Sequence, residues 1–249
     1  MVICLSQEGK SVFFKKRERE IKSFVSRGYA VAIVDVRGVG ETEMSSFRLP
    51  ESQTASLGID LWQMNDSLMS RRIKDTKTVI KALATLPYIN SKDITLWGEG
   101  FSEPNGKEDD VFRFEETGFR QAGPGSKRLC EPLGMNLAIF TPLLVDPEYK
   151  ITRIIARGGL ISYESILKDF YYYLPSDIFV PGILTKIDIP DVIKALSDKG
   201  IEMYFEDIRD AKNRVVSEET LKLTYHYRVD YYQSTVSNNL VEQIFVQKE

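Results

Sequence analysis

Histidine occurs once, at position 226, and cysteine twice, at positions 4 and 130. A single imidazole excludes HExxH zinc proteases and any multi-histidine metal centre, so no metal is expected. It also obliges any Ser–His–Asp mechanism to use His226. Two cysteines make neither a disulfide framework nor a four-ligand zinc site. An excess of either charge is lacking too, with 33 Lys+Arg against 36 Asp+Glu and a net −3. That balance speaks against a broad nucleic-acid or polybasic membrane surface as partner. No apolar run approaches a membrane span, because the polar stretch 6–10 cuts off the apolar residues 1–5. Phosphate-binding glycine motifs are incomplete. Glu43 and Glu103 stand where GxGxxG needs its third glycine after Gly38-Val39-Gly40 and Gly98-Glu99-Gly100, and neither Gly9-Lys10 nor Gly106-Lys107 has a glycine five residues earlier. Nucleotide binding becomes a minor reading, and no cofactor is expected.

What remains is 249 residues with 43% hydrophobic content, enough for one sizeable core. Strand and helix patterns alternate along the chain. Residues 2–5 read as a short strand, 16–26 as a helix stopping at Arg27-Gly28, and 29–36 (YAVAIVDV) as a strand buried on both faces. A helix over 68–86 ends before Pro87, a strand covers 93–97, a helix 134–144 and a strand 151–156. A helix over 191–199 follows Asp188, a candidate N-cap that forms a capping box with Asp191. A strand at 201–205, a helix at 217–232 and a strand at 240–246 complete the pattern. The alternation predicts a three-layer α/β/α domain on a mostly parallel sheet, spanning 1–249 as one unit. Residues 101–133 fit neither period and read as an irregular insertion. A chain that opens within an apparent buried strand is expected to be the C-terminal part of a longer protein, which leaves localisation unread at the N-terminus.

Several stretches carry a resemblance. A helix ending at Leu86-Pro87 leads into the strand Asp93-Ile94-Thr95-Leu96-Trp97 and then Gly98-Glu99-Gly100. Upstream stands Asp35-Val36-Arg37-Gly38-Val39-Gly40, and downstream Leu160-Ile161-Ser162-Tyr163-Glu164-Ser165 and Val180-Pro181-Gly182-Ile183-Leu184. Together they resemble the α/β-hydrolase superfamily, in particular its acetyl-xylan-esterase-like and prolyl-oligopeptidase-like members, over nearly the whole chain from the fold's third strand onward. The resemblance implies an α/β-hydrolase fold lacking its first strands, an esterase-type activity, and a G-x-S-x-G nucleophile elbow after the 93–97 strand.

On that map the elbow is degenerate. Gly100 occupies the nucleophile position and Ser102 the final glycine. The insertion then separates the elbow from the helix that normally follows it, where it would disturb the amide forming half of the oxyanion hole. The resemblance places the triad acid after the 201–205 strand, at Asp207 or Asp210. It places the histidine after the last strand, where only Gln247-Lys248-Glu249 remain, whereas His226 comes earlier, among tyrosines. Ser162 and Cys130 are further nucleophile candidates, each needing a nearby base. The acidic pairs Glu108-Asp109-Asp110 and Glu115-Glu116 lack calcium-loop spacing. Tyr171-Tyr172-Tyr173 and Tyr225, Tyr227, Tyr231 and Tyr232 offer either sugar-stacking platforms or packing faces.

Two functional expectations follow. The first is a non-catalytic, degenerate hydrolase-fold module with a structural or ligand-binding role. The second is an active carboxyl-ester hydrolase that removes acetyl groups from carbohydrates, using a displaced Ser102 with Asp210 and His226. Either is expected to meet a small ester or carbohydrate ligand and an upstream domain of the same protein.

Overall fold

The computed structural model describes residues 1–43, 50–106, 128–168, 171–226 and 230–232, with Val241 and Ile244 beyond them. The acidic pairs at 108–110 and 115–116, and Tyr227, lie outside the described residues.

Six strands form one all-parallel sheet: β1 (Val2–Ser6), β2 (Val31–Val34), β3 (Ile94–Glu99), β4 (Ile151–Arg157), β5 (Glu202–Glu206) and β6 (Asp230–Tyr232). Their order is β2-β1-β3-β4-β5-β6. The chain moves outward on one side of β1 and then reverses to build the other side from β3 on. That reversal leaves a crevice between the carboxyl ends of β1 and β3, where open α/β sheets receive ligands.

Alternation along the strands divides the core. Ile3, Leu5, Leu96, Ile154, Ala156, Met203 and Phe205 face the layer of α3 (Leu68–Ala84), α4 (Leu133–Leu144), α5 (Ile189–Asp198) and α6 (Glu218–Tyr225). Val2, Cys4, Trp97, Ile155 and Tyr204 face α1 (Gly9–Ser26), together with Val241 and Ile244. The three-layer α/β/α arrangement follows from those two buried faces. Asp188 caps α5, accepting from Ile189 N at 2.7 Å, and its own N–H donates to Asp191 Oδ2 at 2.9 Å, as the spacing predicts.

Four expectations change. The 29–36 strand is not buried on both faces: β2 is an edge strand, and all four of its residues are half-buried. An additional helix, α2 (Pro50–Gln63), lies where no element was expected. The helix expected over 217–232 stops at Tyr225, because His226 takes a left-handed φ of 53° while its N–H closes onto Lys222 O. The expected last strand over 240–246 is replaced by β6, and Val241 and Ile244 are helical, buried three residues apart on the α1 side. Val241 and Ile244 stand three apart, a spacing that suits a helical face, and both pack on the α1 side.

Backbone meets backbone closely where β3 packs on α4. A Cβ on Gly134 would lie 2.5 Å from Glu99 N, 2.6 Å from Glu99 O and 2.7 Å from Leu5 O, all backbone atoms. A Cβ on Gly98 would overlap the Gly134 carbonyl in turn. Gly134→Ala is therefore expected to destabilise the fold by at least about 1–3 kcal/mol, the usual cost of overpacking. Urea denaturation measures it, and a loss below about 0.5 kcal/mol would contradict this close approach.

Candidate functional site at the carboxyl ends of the strands

Three strands end in charge. The register places Glu99 of β3 beside Arg157 of β4, and Arg157 beside Glu206 of β5, all on the α1 side. Glu99 is fully buried. One of its oxygens accepts from the Trp97 indole at 2.6 Å and from Arg157 Nη1 at 3.2 Å, and the other accepts from Arg17 Nη2 at 2.9 Å. Arg157 also contacts Glu20 at 3.4 Å, and its Nε lies 2.6 Å from Glu206 Oε2, although too far out of line for a hydrogen bond. Burial raises the Glu206 carboxyl above its ordinary range, against the pull of Arg157. Helix α1 loses its helical geometry at Arg17, the residue that reaches across to Glu99.

Gly100 stands immediately after this cluster. Its φ lies outside the left-handed region, so the strained turn that an elbow uses to lift its nucleophile is not made here. A Cβ at Gly100 would sit 2.7 Å from the backbone carbonyl oxygen of Glu131 and 3.1 Å from that of Gly158. A side chain at this position would meet backbone. The amide that follows is occupied as well: Phe101 N donates to Glu131 Oε2 at 2.6 Å, and Ser102 N adds a second backbone contact to this carboxylate. Were Gly100 the nucleophile position of an elbow, Glu131 would lie where its oxyanion needs a donor. Burial raises its pKa above the ordinary value, and the two amides only partly oppose that shift.

Residues 101–106 and 128–132 lead away from β3 and back to α4 without regular structure. Asn213 and Asn105 tie them to the loop after β5. Asn213 Nδ2 donates to Ser102 Oγ at 3.2 Å and to Glu103 O at 2.9 Å. Asn105 Nδ2 donates to Arg128 O and Lys212 O, each at 2.9 Å. Ser102 and the Asp210 loop are therefore neighbours, joined through an asparagine amide.

The remaining candidates are committed elsewhere. Asp210 accepts from Lys212 N and Arg214 N at 2.9 Å, and from Arg214 Nε at 2.8 Å. Asp207 holds a left-handed φ of 49° at the end of β5. His226 is exposed at the C-cap of α6. Among the described residues no hydrogen bond joins Ser102, Asp210 and His226. Ser162 is buried and accepts from Ser165 N at 3.0 Å, closing a tight turn. Cys130 is buried with its thiol toward Gly158 O, and burial pushes its pKa up to about 12. Among the tyrosines, Tyr225 is buried against Phe205 and donates to Ile161 O, Tyr231 donates to Val216 O, and Tyr171 and Tyr172 are exposed.

Comparison with protein-family models, with curated proteins and with solved structures finds no match to this chain.

Sequence reasoning passed over Glu99, Arg157, Glu206, Glu131 and Asn213. A signal was present for the first three, since each closes an apolar strand with a charge on the side chain's alternating face. Glu131 and Asn213 had none, because their partners lie 30 and about 110 residues away.

Two measurements test this site. Both cysteines are fully buried, and burial raises the pKa of each. Native protein is therefore expected to leave Cys4 and Cys130 unreacted with a thiol reagent such as DTNB that titrates both in denaturant; rapid reaction without unfolding would contradict it. The second concerns Glu131. A glutamate whose folded pKa is raised adds stability below its unfolded value and loses it as pH rises through the folded value. Glu131→Gln is thus expected to flatten the fall in unfolding free energy as pH rises above the ordinary glutamate value of about 4.3. An unchanged slope would remove Glu131 as its source.

Proposed function

We propose that this chain is a non-catalytic module of the α/β-hydrolase type, a degenerate relative of acetyl-xylan-esterase-like proteins with a structural or ligand-binding role. The observation that carries the reading is at Gly100. The elbow position lies at the end of β3, beside the crevice where strand order reverses. There the volume of a nucleophile is taken by the Glu131 carbonyl, and the following amide by the Glu131 carboxylate. One segment of the insertion thus fills both the nucleophile and oxyanion places. Loss of a triad member typically leaves only about 10³–10⁴-fold catalysis over water, much of it from the oxyanion hole, and here that amide is engaged as well.

The neighbours of Ser102 and Asp210 support the same reading. A hydroxyl accepting from an asparagine amide has gained no base, and a carboxylate that accepts three donors from its own loop orients no imidazole. A partner that suits the module is a small ester or carbohydrate ligand. The near-neutral charge argues against nucleic acid, and among the described residues no helix is long and apolar enough to cross a membrane.

Hydrolysis of p-nitrophenyl acetate tests the proposal. Turnover is expected at the uncatalysed rate, unchanged in Ser102→Ala and His226→Ala. Gly100→Ser is expected to lose stability without gaining activity, because its Cβ meets backbone. Activity that disappears with either Ser102 or His226 would establish the ester hydrolase instead.

A further inference from the structure

Arg209 follows β5 by three residues, and its backbone is held on both sides. Its N–H donates to Gly159 O at 2.7 Å, its carbonyl accepts from Ile161 N at 2.8 Å, and it bridges to Val215. The side chain turns inward. The residue is 5% exposed, and Nε and Nη1 are both buried without a hydrogen-bond partner. A guanidinium does not shed its proton at ordinary pH, so the penalty for hiding these donors persists until an acceptor reaches them.

The acceptors close by make no hydrogen bond to Nε or Nη1. The Asp210 carboxylate is taken by Lys212 and Arg214. The Tyr231 hydroxyl donates to Val216 O, and the Cys130 thiol is directed at Gly158 O. Asp207 attracts the guanidinium through space, yet no hydrogen bond reaches Nε or Nη1.

We propose that Arg209 anchors a binding site for a small monocarboxylate, just beyond the carboxyl end of β5. Charge-assisted pairing with a carboxylate is the strongest partner available to an arginine. Asp207 and Asp210 lie within electrostatic range of the guanidinium, so a monocarboxylate is repelled less than a phosphate dianion. The site does not depend on descent from a hydrolase, since neither Gly100 nor Glu131 enters the argument.

Sodium acetate, chloride and phosphate titrated against the full chain at matched ionic strength test the proposal, read by melting temperature and by the acetate NMR linewidth. Acetate is expected to raise the melting temperature saturably, chloride to leave it unchanged and phosphate to raise it less. The acetate resonance should broaden with the protein present. Arg209→Met is expected to abolish both responses while keeping the fold, because a buried unpaired charge gives way to an apolar chain of similar length. Should that variant fail to fold, Arg209→Gln is read by the same signals, and the wild-type comparison decides by itself. Equal responses to acetate and chloride, indicating an ordered water alone, would overturn the proposal. So would a larger response to phosphate, or an acetate response that survives in a folded variant.

Discussion

A carboxylate buried in the sheet is the constraint on which the upper half of this protein depends. Glu99 has no exposed surface, and an isolated ionised carboxylate in such a place would cost many kcal/mol. Its oxygens are satisfied by the Trp97 indole, Arg157 and Arg17, drawn from β3, β4 and α1. Arg157 in turn requires Glu206 and Glu20. The register of β3, β4 and β5 and the kink of α1 at Arg17 all serve one charge. Buried pairs of this kind are poor evidence for high stability, but losing one partner typically costs about 3–5 kcal/mol, and misregistered strands would lose several at once. The network acts chiefly on specificity, holding the strand ends in one alignment.

That alignment delivers Gly100 to the crevice beside β1, and the chain then departs from a tight strand-to-helix turn. Glu131 returns from the irregular segment and uses its carbonyl and its carboxylate in one small space. Asn105 and Asn213 tie the outgoing and returning strands of the segment to the loop after β5. A backbone that needs so many side-chain amides has left regular structure, and its polar groups must be met individually. The same loops bring Ser102 near the Asp210 loop, and the strand ends are polar, closely tied and only partly compensated.

Much of the architecture was readable in order along the chain. The apolar runs at 2–5, 93–97, 151–156 and 201–205 became strands, and the Asp188–Asp191 capping box formed as its spacing requires. These features depend on neighbours within a few residues. Errors fell where local pattern admits two answers. YAVAIVDV is as apolar as a central strand, yet the sheet order places it at the edge. Val241 and Ile244 fall within an apolar run that reads as a strand, yet they stand three apart on a helical face and pack on the α1 side. The 217–232 helix was cut short by one left-handed residue, His226, which nothing in the flanking tyrosines foretold.

For the site, residue type alone carried the exclusions: one histidine and two cysteines leave no multi-histidine metal centre and no disulfide framework. Local periodicity likewise determined the α/β alternation, because side-chain period is a property of a few consecutive residues. Tertiary structure alone decided that Glu131 fills the place beside Gly100, that Asn213 holds Ser102, and that Arg209 is buried with unmet donors. Each joins segments far apart in the chain, and whether a charge is buried depends on everything folded around it. A sequence states which charges exist; only the packed molecule states which of them are left in need of a partner.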